Sequence, residues 1–153
     1  SKTLKKNMSR AFLCEIDELE SFISPIIIIW KEWTTGHEGV ESQIHHARIG
    51  FTRLLNDKYI GDSVLKRNSI YDPNGEYFVY RKEISYFDEV LFKNIIDFYS
   101  QLKKSQYNYQ ELIKPNRLYS EYEEDLIAYD FFTHLKNAYD LIPILKTKLK
   151  EQN

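Results

Sequence analysis

Between Phe87 and Leu102 the chain places Phe87, Leu91, Ile95, Phe98 and Leu102 at steps of four, four, three and four residues. That spacing draws one apolar stripe along a 3.6-residue helix. Burying such a stripe is worth about 1.5–3 kcal/mol per side chain before conformational entropy is charged, so a helix of this kind demands a partner surface. Ser85-Tyr86-Phe87-Asp88 matches a capping box and predicts that the helix starts at Ser85. Just upstream, Asp72-Pro73-Asn74-Gly75 has the proline, asparagine and glycine of a tight turn. Its flanks, Ile70-Tyr71 and Tyr77-Phe78-Val79-Tyr80, are aromatic and β-branched, which predicts a small β-hairpin around residues 70–80.

The partner surfaces are legible on both sides of this stretch. Met8, Phe12, Ile16, Leu19, Ile23, Ile27, Trp30 and Trp33 keep helical spacing from about Thr3 to Trp33. Pro25 interrupts that run and predicts either a kink or a break capped by Ser24, while the β-branched Ile26 to Ile29 leave a buried strand as the alternative. A second helix is expected from Glu38 to Asp57, with Val40, Ile44, Ala47, Phe51 and Leu54 or Leu55 inward and Gly50 as a weak point costing about 1 kcal/mol. The pattern breaks at Gly61, and Asp62 could cap a short turn there. Residues Ser105 to Arg117, with Pro115, read as a connecting loop. Ser120-Glu121-Tyr122-Glu123 is a second capping box, opening a last helix with Leu126, Tyr129, Phe132, Leu135, Tyr139, Ile142, Leu145 and Leu149 on its stripe and a kink expected at Pro143. The expectation is a mainly α protein: one domain over residues 1–153, an antiparallel bundle of three to four long helices around the Phe87–Leu102 stripe, with the hairpin at one end.

A chain of 153 residues is long enough to bury a real core without staples. Its net charge of -2, with both signs mixed along the sequence, speaks against a nucleic-acid partner. The single cysteine, Cys14, cannot form an internal disulfide, which points to a reducing, cytoplasmic setting. The longest apolar run, Pro25 to Trp30, falls far short of the roughly 20 residues that span a bilayer. Because the chain opens on Ser1, a segment upstream carrying a membrane anchor is a further expectation.

Reactive side chains are densest at His37, Glu38, Glu41, His45 and His46. Glu41 and His45 stand four apart, a spacing that can put two ligands on one helix face, although the bland reading is surface histidines beside Ile44 and Ala47. A di-iron bundle uses Glu-x-x-His pairs, and none occurs in the chain. His134 follows Asp130 by four residues, which could orient an imidazole, but no partner nucleophile is identifiable. Cys14, on the polar side of its helix among acidic neighbours, reads as an inert thiol. Phosphate-loop, Cys-x-x-Cys, His-Glu-x-x-His and Gly-x-Ser-x-Gly signatures are all missing, so no catalytic residue and no cofactor or metal ligand is assigned. Tyr107, Tyr109, Tyr119 and Tyr122 cluster about the last connection, either as a partner patch or as rings capping a bundle end.

The order of segments (Arg10 to Glu20, then Ile70-Tyr71-Asp72, then Ile84 to Leu102 with Asp97-Phe98-Tyr99, then a final helix) resembles a broad group of uncharacterised bacterial proteins. In that group a short N-terminal transmembrane helix leads into a small cytosolic helical domain. An "ALLAEI"-like start and a "VYDAN...LGLL...VVRFYARL"-like middle are matched here by Arg10 to Glu20, Asp72-Pro73-Asn74 and Ile95-Ile96-Asp97-Phe98-Tyr99. The chain departs from the group by the stretch from about Thr34 to Ser69 and by the Gly75–Glu83 arm. The resemblance implies a cytoplasmic domain tethered to the inner face of a membrane by a segment outside this chain, and carries no activity. The expected function is therefore a non-enzymatic interaction domain that binds a protein partner or itself. The alternative is a metal-binding or hydrolytic helical-bundle enzyme using His37, Glu41, His45 and His46.

Overall fold

The computed structural model describes residues 2–57 and 70–152. These form five α-helices: α1 (Lys2–Thr34), α2 (Val40–Asn56), α3 (Glu76–Val79), α4 (Glu89–Ile113) and α5 (Glu121–Lys150), with a 3-10 turn at Ile84–Tyr86. The expected reading at Gly61 and Asp62 lies outside the described residues.

The amphipathic stripes fold as their spacing dictates. On α1, Met8, Phe12, Ile16, Leu19, Ile23, Ile27 and Trp33 are buried, and Trp30 is half-buried against the same core. Residues Ile26 to Ile29 are helix and not strand, and the helix is unbroken at Pro25; Ser24 Oγ donates to the Glu20 carbonyl at 2.7 Å instead of capping a new segment. On α4, Leu91, Ile95, Phe98 and Leu102 are fully buried, and Phe87, just ahead of its N-cap, is nearly so. α5 likewise runs through Pro143, and its capping box at Ser120 and Glu123 is formed in both directions.

The centre of the molecule is α5, not the expected Phe87–Leu102 stripe. It packs against α4, α1 and α2, while α1 and α4 meet mainly through side chains such as Phe12 and Tyr99. Pairings along α5 give the directions. Ser105 Oγ donates to the Phe131 carbonyl and Gln101 meets His134, so α4 is antiparallel to α5. Ser9 Oγ donates to the Leu149 carbonyl, and Trp33 lies edge-on to Phe132 at 5.5 Å, so α1 is antiparallel as well. His45, Arg48 and Phe51 meet Tyr122, Asp125 and Phe131 in rising order, so α2 runs parallel to α5.

Three local expectations are corrected. Among the described residues there is no strand, so the hairpin around residues 70–80 does not form. The turn itself does: the Gly75 N–H donates to the Asp72 carbonyl at 3.0 Å and the Asn74 N–H to Asp72 Oδ1 at 2.9 Å. The arm after it becomes α3 because α1 holds it there. Glu15 Oε2 accepts the Glu76 N–H at 3.0 Å, supplying the acceptor that Gly75 cannot offer as N-cap, and Glu15 Oε1 accepts from the Tyr99 hydroxyl. Tyr77 stacks on Tyr99 with centroids 5.0 Å apart. A Cβ on Gly75 would sit 2.8 Å from Glu15 Oε2, so the glycine is what admits the carboxylate. Against such pinning, β-propensity is a weak preference.

The second correction is the start of α4. Asp88, not Ser85, is the N-cap, its carboxylate accepting the Leu91 N–H at 2.9 Å, and Ser85 lies in the 3-10 turn that buries Ile84. The third is the expected loop from Ser105 to Arg117. α4 continues to Ile113, since Ser105, Gln106, Tyr109 and Leu112 are buried, and the connection shrinks to residues 114–120.

Candidate functional site

Of the three histidines gathered by sequence in the loop after α1 and the first turns of α2, the structure brings two together and turns the third away. His37 and His46 stack face to face, with centroids 3.7 Å apart and planes 21° from parallel. His46 Nδ1 donates to the Ser42 carbonyl at 2.7 Å, which fixes its tautomer, and Gln43 Nε2 donates to the His37 carbonyl. His45 turns to the other side, 3.9 Å from Glu41 and with its ring 6.2 Å from that of Tyr122. Both members of the His45–Glu41 pair are largely exposed, where such pairs contribute little. Among the described residues no three His, Cys, Asp or Glu side chains are placed to hold a metal ion. His134 lies on α5, apart from this group, and Cys14 is exposed on α1.

His134 borders an open groove of about 310 Å³ between α4 and α5, together with Lys103, Lys104, Tyr107 and Asn108. Its Nδ1 donates to Gln101 Oε1 at 2.7 Å, leaving Nε2 as the acceptor of the neutral ring. The orienting group is thus a neutral amide and not the Asp130 carboxylate expected from the spacing. A Ser-His-Asp arrangement needs a carboxylate at that nitrogen to stabilise the imidazolium. Burial pushes the His134 pKa below the usual histidine range; the Asp130 charge pulls it up, and Lys104 adds to the lowering. The sign for stability follows. The unfolded chain takes up the proton first as pH falls, so the stability present above about pH 6.5 is lost as pH drops through the folded value. Thermal melts between about pH 7.5 and 5 should fall more steeply for the wild type than for His134→Gln. Equal slopes would mean that the imidazole is solvated.

The four tyrosines of the last connection divide. Tyr109 is buried against Phe51 and Phe131, whereas Tyr107 and Tyr122 are exposed. The Tyr119 hydroxyl donates to Glu111 Oε1 at 2.7 Å, which holds the Glu111 carboxyl below its usual range. Arg117 Nε donates to Glu124 at 3.1 Å, and Asn116 takes a left-handed conformation that asparagine tolerates. Between these two ties Leu118 stands 97% exposed, and Ile113 at the end of α4 and Tyr122 in the first turn of α5 are exposed as well. The tyrosines stand out in the sequence and Leu118 does not, because a lone leucine in a polar loop carries no periodicity. Comparison of the chain with family models, curated proteins and solved structures finds no match.

Proposed function

We propose that this chain is a non-enzymatic helical interaction domain that presents the α4–α5 turn to a protein partner or to a second copy of itself. The observation that carries the reading is Leu118, an apolar side chain held in solvent by a turn fastened on both sides, through Tyr119 to Glu111 and through Arg117 to Glu124. A fastened turn that offers an apolar anchor, with Ile113 and Tyr122 exposed on the helix ends it joins, has the make-up of a small binding hot spot. The metal-binding or hydrolytic alternative lacks such support, since His37 and His46 stack on each other while His45 turns away. A cytoplasmic setting, with a tether outside this chain, belongs to the same proposal; no described helix is long and apolar enough to cross a membrane.

The test is a photo-crosslinking residue placed at Leu118 in the cells that make the protein, with the same residue at Lys136 as control, alongside sedimentation of the purified chain over a range of concentrations. A specific adduct at position 118 and not at 136, or a dimer that Leu118→Asp abolishes, is the expected result. Equal labelling at both positions with a monomer at all concentrations would remove the proposal.

A further inference from the structure

We propose that the His37–His46 stack is an acid-released latch that ties the connection between α1 and α2 to the body of α2. His46, in the second turn of α2, is the fixed half: its Nδ1 donates to the Ser42 carbonyl at 2.7 Å. His37 is the movable half. It stands in the connection, and among the described residues its ring partners are the face of His46, with centroids 3.7 Å apart, and the Ser42 hydroxyl at the long distance of 3.4 Å.

The connection turns through Gly36 and Gly39 at φ 84° and 87°, and Gly39 as N-cap brings no side chain to the first amides of α2. Beside the stack, His37 is tied through its N–H to the Thr34 carbonyl at 3.0 Å and through its own carbonyl to Gln43 Nε2 at 3.2 Å. One turn on from His46 along the same face, Gly50 meets Trp33, so the stack closes the end of the α1–α2 contact.

Two neutral imidazoles stack as flat rings do, and one proton on the pair leaves a cation against a neutral ring. A second proton sets two positive charges 3.7 Å apart, with no room between the rings for water to screen them. The rings must then part, and His37 is the one free to leave. Charges nearby do not offset this. On the stack's own segment Glu38 and Glu41 are exposed, and Glu41 lies 3.9 Å from His45 instead. On α1 the last turns carry Lys31 and Glu32, and Glu32 is paired with Arg53 at 3.3 Å. On α5, Glu121 and Asp125 face Arg48, on the side to which His45 turns. Among the described residues no carboxylate pairs with either ring of the stack. The stacked planes also keep the ring nitrogens from converging on one ion, so the pair answers to protons and not to a metal. Because the unfolded chain takes up both protons freely, the contribution of the stack is present above about pH 6.5 and is lost as pH falls.

The experiment is an NMR titration of the full chain from about pH 7.5 to about pH 4.5, a range that spans imidazole protonation. The exposed His45 serves as the internal reference. At the upper pH, His37 and His46 are expected to show ring-to-ring Overhauser contacts, and these should vanish on acidification. Over the same range the protection factors of the His37 and Gln43 amides should fall by about tenfold or more, while core amides such as that of Phe131 keep theirs. Two variants assign the effect. His37→Phe keeps a ring on His46 but takes up no proton, so protection should stay high in acid. His37→Ala removes the stack, and protection should be low at every pH. Absence of ring contact at the upper pH, protection independent of pH in the wild type, or an acid loss that survives in His37→Phe would overturn the latch. Loss of protection at Phe131 in step with His37 would do the same, since it would assign the change to global unfolding.

Discussion

Phe131→Ala is expected to lower the unfolding free energy by about 3–5 kcal/mol, the range for deleting a buried aromatic ring. Phe131 is fully buried at the point where three helices meet: it lies edge-on to Phe51 of α2 at 5.3 Å, close to Tyr109 of α4, and edge-on to its neighbour Phe132. Its carbonyl also accepts from Ser105 Oγ at 3.0 Å, so the helix backbone cannot move freely into the space the ring leaves. A domain of ordinary stability has about 5–15 kcal/mol in all, and the variant should approach the edge of folding. Urea denaturation would read the loss as a lower midpoint at an unchanged slope. Ile144→Ala, at an exposed position of the same helix, is the control and should change stability by less than about 0.5 kcal/mol. A loss below about 1 kcal/mol for Phe131→Ala would mean that α2 and α4 do not close over α5.

Phe131 also marks where reading the sequence stops. The stripes of α1 and α4 were legible because each helix buries one face, and one face is what a 3.6-residue period reports. α5 buries Ala128, Phe131, Phe132, Leu135 and Ala138 because neighbours cover it on several sides, and its expected stripe includes Phe132 but leaves out Phe131. A helix with several partners has no single stripe, so its central place could not be seen from periodicity. The hairpin failed for a different reason. The turn at Asp72 to Gly75 is encoded by its own residues, but the fate of the arm that starts at Glu76 depends on Glu15, sixty-one residues before Glu76. No local propensity carries that information. The histidine cluster shows the same limit from the other side: adjacency of His45 and His46 in the chain sends their rings to opposite partners, Tyr122 and His37.

Gly50 is where propensity and packing predict opposite signs. Alanine in place of a mid-helix glycine gains about 1 kcal/mol from backbone entropy and exposure. In this structure a Cβ on Gly50 would lie 2.6 Å from Nε1, 2.7 Å from Cδ1 and 2.9 Å from Cε2 of Trp33. These are atoms of a rigid ring, not the end of a flexible chain, and the indole is itself buried edge-on against Phe132. Admitting the methyl group requires that α2 draw away from α1 or that Trp33 leave Phe132. Overpacking of that kind costs about 1–3 kcal/mol, so Gly50→Ala should be destabilising despite its better propensity. The decisive measurement is the same substitution in a Trp33→Leu background. With the indole gone the space opens, and Gly50→Ala should there become stabilising by up to about 1 kcal/mol, a reversal of sign within one double-mutant cycle. A stabilising Gly50→Ala in the wild-type background would mean that α1 and α2 sit further apart than the Trp33 contact requires.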